Sequence, residues 1–132
     1  MPATCDIYGT VFEGGTCTLL ARIVDSSGAC LAPSALATLT YSVYLLDDDD
    51  ADRRTPVAGH DAVTVPIAGV VLDQPRVDAT WTIDTIGYNF CHLLDVSASP
   101  AFPTAGRKYL VEYRLTPSSG QVVLLRFRVN AI

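Results

Sequence analysis

Lys108-Tyr109-Leu110-Val111-Glu112-Tyr113-Arg114-Leu115-Thr116, followed beyond a short connection by Val122-Val123-Leu124-Leu125-Arg126-Phe127-Arg128-Val129-Asn130, decides how this chain folds. Both runs alternate with a period of two, the pattern of a half-buried strand. In the first, Tyr109, Val111, Tyr113 and Leu115 share one face, and Lys108, Leu110, Glu112, Arg114 and Thr116 share the other. In the second, Val123, Leu125, Phe127 and Val129 alternate with Val122, Leu124, Arg126, Arg128 and Asn130. A three-residue loop, Ser118-Ser119-Gly120, puts both apolar sets on one face. It pairs Tyr109 with Val129, Val111 with Phe127 and Tyr113 with Leu125, and sets Glu112 opposite Arg126. That loop length favours a type I turn followed by a left-handed residue, which Gly120 supplies at no steric cost. A two-residue loop would set Arg114 against Val123 and bring charges opposite apolar residues, so the three-residue register is predicted.

Outward from this pair, the chain reads as short strands punctuated by turn residues, with no amphipathic helical pattern. Residues 16–24 put Cys17, Leu19, Ala21 and Ile23 on one face. Asp25-Ser26-Ser27-Gly28 is a turn, and Pro33-Ser34-Ala35-Leu36 one helical turn. Residues 37–46 alternate Leu39, Tyr41, Val43 and Leu45 against Thr38, Thr40, Ser42 and Tyr44. Residues 61–65 and 69–72 are β-branched runs interrupted by Pro66, which marks an edge or a break. Residues 79–85 and 88–94 are predicted as strands flanking Gly87, and 1–15 as an extended arm or edge strand. About seven to nine such strands, joined by Greek-key connections in a single domain over 1–132, amount to an all-β antiparallel sandwich.

Composition supports a packed domain. Of 132 residues, 49% are hydrophobic and 17% charged; folding at this length buries roughly two-thirds of the extended chain's surface. A disordered tail is excluded, and no uncharged apolar run approaches the ~18 residues of a helical membrane span. Net charge is −5, and Lys108 is the only lysine among 9 basic residues. That is a poor footprint for nucleic acid. Met1-Pro2-Ala3-Thr4-Cys5-Asp6 has neither the basic nor the apolar part of a secretory leader, which predicts folding in a reducing cytoplasm. Cys5, Cys17, Cys30 and Cys91 match no CxxC or zinc-finger spacing. They are expected as small buried or half-buried thiols, not as a disulfide framework or a metal site.

The remaining chemistry is sparse. Asp47-Asp48-Asp49-Asp50-Ala51-Asp52 invites a calcium reading, but an EF-hand loop from Asp48 would need glycine where Arg53 stands and glutamate where Gly59 stands. A solvated inter-strand loop, its repulsion softened by Arg53 and Arg54, accounts for the run and keeps an edge soluble. His60-Asp61 and His92 with Asp95 are the only His/acid neighbours. No GxSxG turn presents a nucleophile, and the serines cluster in turns where a backbone role suffices. His60 is expected in a loop and His92 on or beside a strand, bonded locally. Trp81 is expected to pack in the core. GxxxxGK and GxGxxG patterns are absent. No catalytic residue, cofactor or metal site is expected.

Ala105-Gly106-Arg107-Lys108-Tyr109-Leu110-Val111-Glu112-Tyr113 resembles the E–F corner of immunoglobulin-like domains. There a tyrosine opens strand F and its hydroxyl returns to the backbone upstream, which makes Tyr109 the corner residue of this chain. Val111 stands where an antibody-type domain has its second cysteine, and 37–46 contains no tryptophan, so the resemblance implies a generic immunoglobulin-like sandwich. Val24-Asp25-Ser26-Ser27-Gly28, Thr40-Tyr41-Ser42-Val43-Tyr44, Trp81-Thr82-Ile83-Asp84, Gly87-Tyr88-Asn89-Phe90 and the terminal hairpin are together similar to small immunoglobulin-like accessory proteins of tailed bacteriophages. That resemblance implies a non-enzymatic virion structural protein. Its expected role is a capsid decoration or cement subunit binding the major capsid protein or a neighbouring accessory protein, alone or as a homo-oligomer, with no nucleic-acid or membrane partner. The hairpin's outer face adds a surface to this expectation. Large apolar residues there exceed what a solvent face carries, and they stand among arginines, as interface cores do. Leu110, Val122, Leu124, Arg126 and Arg128 are the expected partner contacts. Two rivals make different demands: a soluble or tail-associated glycan-binding module would expose Trp81 or loop aromatics, and a hydrolase would hold His60 or His92 beside a nucleophile in a pocket.

Overall fold

The terminal hairpin has the expected register in the computed structural model, which describes residues 6–24, 28–50, 53–118 and 122–132. Nine strands occur among them: β1 (Asp6–Val11), β2 (Thr18–Ala21), β3 (Leu36–Leu46), β4 (Arg54–Pro56), β5 (Val63–Thr64), β6 (Val71–Arg76), β7 (Tyr88–Leu93), β8 (Lys108–Pro117) and β9 (Val123–Ala131). A single 3-10 turn over Pro33–Ala35 precedes β3, where one helical turn is expected. Tyr109 pairs with Val129, Val111 with Phe127, Tyr113 with Leu125 and Glu112 with Arg126. A one-residue slip would expel Tyr109, Val111 and Tyr113, all of them fully buried, to the opposite face. The connecting turn at 119–121, with Gly120, lies outside the described residues.

Two sheets result. The larger has the order β1-β9-β8-β3-β4, with β5 also on β3, and the smaller is β2-β7-β6. β1 runs parallel to β9, and the other strand pairs are antiparallel. The chain crosses between sheets after β1, after β2, before β6 and after β7. With β2-β7-β6 facing β3-β8-β9, this is the B-E-D against C-F-G arrangement of the immunoglobulin-like sandwich.

Alternation along the strands builds the core. Leu39, Tyr41 and Val43 of β3, Val111, Tyr113 and Leu115 of β8, and Phe127 and Val129 of β9 meet Leu19, Ala21, Ile23 and Phe90 from the other layer. The Phe90 ring meets Tyr113 edge-on with centroids 4.7 Å apart, and Phe127 meets Tyr113 at 5.9 Å and 83°. Such tilted contacts suit the ring quadrupoles. Phe102 closes one end of the sandwich against Tyr109, 5.4 Å away and edge-on. The Tyr109 hydroxyl accepts the N–H of Thr104 at 3.1 Å, five residues upstream, so the corner tyrosine takes the place expected for it.

Two segments differ from expectation. Residues 79–85, expected as a strand, form a loop between β6 and β7. Asp78 Oδ1 accepts the Thr80 N–H at 3.0 Å, and Asp84 Oδ1 accepts the N–H groups of Ile86 and Gly87 at 3.0 and 3.1 Å. These carboxylates capture the donors a ladder would have used. Ile83 is consequently 70% exposed. Gly87 ends the loop at φ 105°, where an added Cβ would lie 2.4 Å from the Arg76 carbonyl oxygen. Only glycine fits there. The second difference is β4, which folds back on β3 immediately after the acidic run, with the Asp47 N–H bonded to the Arg53 carbonyl at 3.0 Å.

Tyr109→Phe should lower the free energy of unfolding by about 0.5–1.5 kcal/mol, the usual contribution of one such hydrogen bond. Phe127→Ala should lower it by about 3–5 kcal/mol through the cavity left between the sheets. Urea titration of both variants measures the two losses.

Candidate functional site

The outer face of β8 and β9 carries the residues expected to meet a partner, and the strands divide them. Leu110 sits in register between Tyr44 on β3 and Arg128 on β9. It is only 3% exposed. Long side chains on neighbouring strands cover a central aliphatic residue of a sheet in this way, so Leu110 drops out of the contact set. Val122 and Leu124 remain 42% and 46% exposed near the tip of the hairpin, and Leu124 lies opposite the exposed Arg114. Arg126 is engaged within the chain: its Nε donates to Glu112 Oε2 at 2.9 Å. Arg54 of β4 approaches the same oxygen to 3.7 Å and stacks over Tyr44, 4.3 Å from the ring centre. The nearly buried Glu112 is thereby held between two guanidinium groups, the arrangement that makes a desolvated carboxylate tolerable. Arg128 is half-buried on the same face.

The histidines lie in the interior. His60 follows β4 in a loop, as expected, but is buried. Its Nε2 stands 2.8 Å from the Ser99 carbonyl oxygen, which only accepts, so Nε2 carries the hydrogen. Nδ1 then accepts from the Tyr41 hydroxyl at 2.7 Å. His92 was expected to bond locally; instead it reaches from β7 to the opposite sheet, with Nδ1 2.6 Å from the Tyr113 hydroxyl on β8. Burial pushes the Tyr113 phenol far above its ordinary range and the His92 imidazolium below its own. The phenol therefore donates and the neutral ring accepts. A cavity of about 240 Å³ opens beside this pair, lined in part by Tyr41, Thr64, His92 and Asp95. Asp95 is held below the usual carboxylate range by the Ser97 hydroxyl and N–H. The hydroxyls that meet the two histidines belong to tyrosines kept protonated, which suits them to cross-bracing more than to nucleophilic attack.

The other candidates also find structural places. The acidic run forms the β3–β4 turn: Asp47 Oδ1 accepts the N–H groups of Asp49 and Asp50 at 2.8 and 3.3 Å. Of the two arginines expected to relieve its repulsion, Arg54 turns to Glu112 instead, and Arg107 approaches Asp48 at 3.5 Å. Residues 51–52 lie outside the described residues. Trp81 is buried as expected, though from the β6–β7 loop and not from a strand. Its ring lies 5.7 Å from Tyr88, and its Nε1 donates to Asp84 at 3.0 Å. Asp84 also takes Arg22 at 2.6 Å, and these donors hold its carboxyl far below the ordinary range. Cys17, Cys30 and Cys91 are half-buried thiols; Cys5 lies outside the described residues. Among the described residues, no group of three His, Cys, Asp or Glu side chains is placed to hold a metal ion.

Asn89 is given no individual role by the sequence, where it stands in an alternating strand and matches no chemical motif. It is fully buried; its Oδ1 accepts the Ile23 N–H at 2.7 Å, and its Nδ2 donates to the Ile23 and Leu31 carbonyls at 2.9 and 3.3 Å. The only signal available was a polar residue between Tyr88 and Phe90 at a position that has to face something buried.

Acid should weaken the sandwich through His92. Its folded pKa lies below the unfolded value of about 6.5, so the unfolded chain binds the proton first and stability falls as pH drops through that window. One proton corresponds to at most about 1.4 kcal/mol per pH unit. Asp78, Asp84 and Asp95, all held below the ordinary carboxylate range, contribute their losses only at lower pH. Urea unfolding at pH 7.5 and pH 5.5 should show the decline in the wild type and a flatter response in His92→Gln. Equal declines in both would place the proton elsewhere.

No protein-family model matches this chain, and neither a curated protein nor a solved structure is found that is similar to it.

Proposed function

We propose that this chain is a non-enzymatic structural subunit of a virion, most specifically a capsid decoration or cement protein that binds the major capsid protein through the outer face of β9. The observation that carries this reading is the pair Val122 and Leu124. They are exposed on a face whose neighbouring polar groups, Glu112 with Arg126 and Arg54, already satisfy one another. The Glu112, Arg126 and Arg54 group can be covered without stranding an ion, and the exposed Arg114 opposite Leu124 tolerates covering better than a lysine would because its guanidinium is less strongly hydrated. Affinity in a symmetric shell would come from many repeated weak contacts, and no chemistry would be performed. Both histidines being committed to tyrosine hydroxyls favours this over a hydrolase, and Trp81, turned onto Tyr88 and Asp84, is not offered to a glycan.

Leu124→Asp should abolish incorporation into particles while leaving the isolated domain folded, as read by sedimentation of purified particles and circular dichroism of the free chain. Normal incorporation of the folded variant would move the contact to a different face. Finding the chain only outside particles would end the virion reading.

A further inference from the structure

We infer that the open side of the sandwich between β1 and β2 accepts an extended segment of another polypeptide, which pairs with β2 as an added strand and places an apolar side chain over Gly9. β1 is the edge of the larger sheet and β2 the edge of the smaller one. Between them runs a slot of about 150 Å³ whose lining includes Ile7, Gly9, Leu19, Phe127 and Val129. A cavity of that size in an apolar core admits a benzene-sized group.

Three observations give the slot its occupant. The first is the direction of the β2 backbone. The Cys91 N–H is spent on the Val70 carbonyl at 2.9 Å, on the far side of β7. Leu20 faces Cys91 in the antiparallel ladder, so this is a non-hydrogen-bonded pair, and Leu20 turns its N–H and C=O toward the open side. Thr18, two residues away, does the same. The second is a missing side chain. Gly9 pairs with the inward-facing Val129, between the inward Ile7 and Val11, yet nothing lies within 4 Å of where its Cβ would be. Glycine inside a strand often marks a place where another backbone comes close.

The third is the contrast with the opposite side of the sandwich. There the smaller sheet ends in β6, which carries exposed Asp73, Pro75 and Arg76, and the larger ends in the three-residue β4 with Arg54 and Pro56. Charge, proline and shortness are the devices that keep edge strands from pairing. β2 reads Thr18-Leu19-Leu20-Ala21, and β1 carries no charge from Ile7 to Val11. Among the described residues, the unguarded edges face each other across a slot with an apolar floor and threonines at its rim, which is the geometry of strand addition: main-chain bonds give affinity, and a pocket under alternate side chains gives specificity.

The test is to pan the immobilised full chain against a display library of random linear nine-residue peptides. Enriched sequences should alternate apolar with polar residues. They should bind at least tenfold more weakly to Gly9→Val, which fills the slot from the β1 side, and to Leu20→Pro, which removes an N–H not bonded to β7. Amide hydrogen exchange at Thr18 and Leu20 should slow in the complex. Should Leu20→Pro fail to fold, Gly9→Val carries the test, since Gly9 has an ordinary φ and open space around it. Absence of enrichment, enrichment of non-alternating sequences, or undiminished binding to Gly9→Val would overturn the inference. So would loss of binding in Leu124→Asp, which alters only the outer face of β9, and this keeps the inference separate from the proposed capsid contact.

Discussion

Tyr113 ties the two sheets together, and the rest of the sandwich is arranged around what its side chain needs. Its ring packs edge-on against Phe90 from the smaller sheet and against Phe127 from its own, and also meets Tyr41 at 5.8 Å. A phenol so deeply buried requires an acceptor. His92 of β7 supplies one from across the core. The apolar contact and the hydrogen bond thus run between the same two layers, so that sliding one sheet over the other would break both together. This coupling gives a small sandwich a single packing arrangement where hydrophobic burial alone would allow several.

The polar groups on the outside follow a different logic. Glu112 is nearly buried although it lies on the face opposite the core, because Arg126 from the adjacent β9 and Arg54 from β4, one strand beyond β3, converge on it. Desolvated charges of this kind add little net stability against an apolar replacement, but they fix the neighbours of β8 and leave the far end of β9 as the part of that face not sealed by the chain's own groups. The loop between β6 and β7 applies the same device to the backbone, with Asp78 and Asp84 as the acceptors around which it is wound.

The strands whose alternation is long and uninterrupted, β3, β8 and β9, can be read directly from the residues, and for β8 with β9 the register as well, because a period of two over nine or more positions leaves one way to bury a face. Residues 79–85 alternated as well and still misled. Asp84 reads as a polar position of that strand and Asp78 stands just before it, but their side chains compete locally for backbone hydrogens, and periodicity carries no information about that competition. β4 was too short to have a pattern. On the outer face of the hairpin, Val122 and Leu124 are exposed as their alternation indicates. Leu110 was assigned to the right face but its burial was missed, since that depends on Tyr44 and Arg128, which stand beside it only once three strands are in register. The cross-sheet bond of His92 was beyond the reach of any single strand's sequence.

The parallel pairing of β1 with β9 joins residues 6–11 to residues 126–131, the most distant partners in the ladder. β1 is made well before its mate and has no partner in the larger sheet until residues 126–131 have been synthesised. The larger sheet cannot gain its last strand before then, and non-local pairings of this kind fold slowly and leave strand edges exposed for longer. Because the two strands run in the same direction, the chain enters the pair at one end and leaves it at the other. Asp6 and Ala131 therefore lie at opposite ends of the paired strands, separated by about 20 Å, the length of six extended residues.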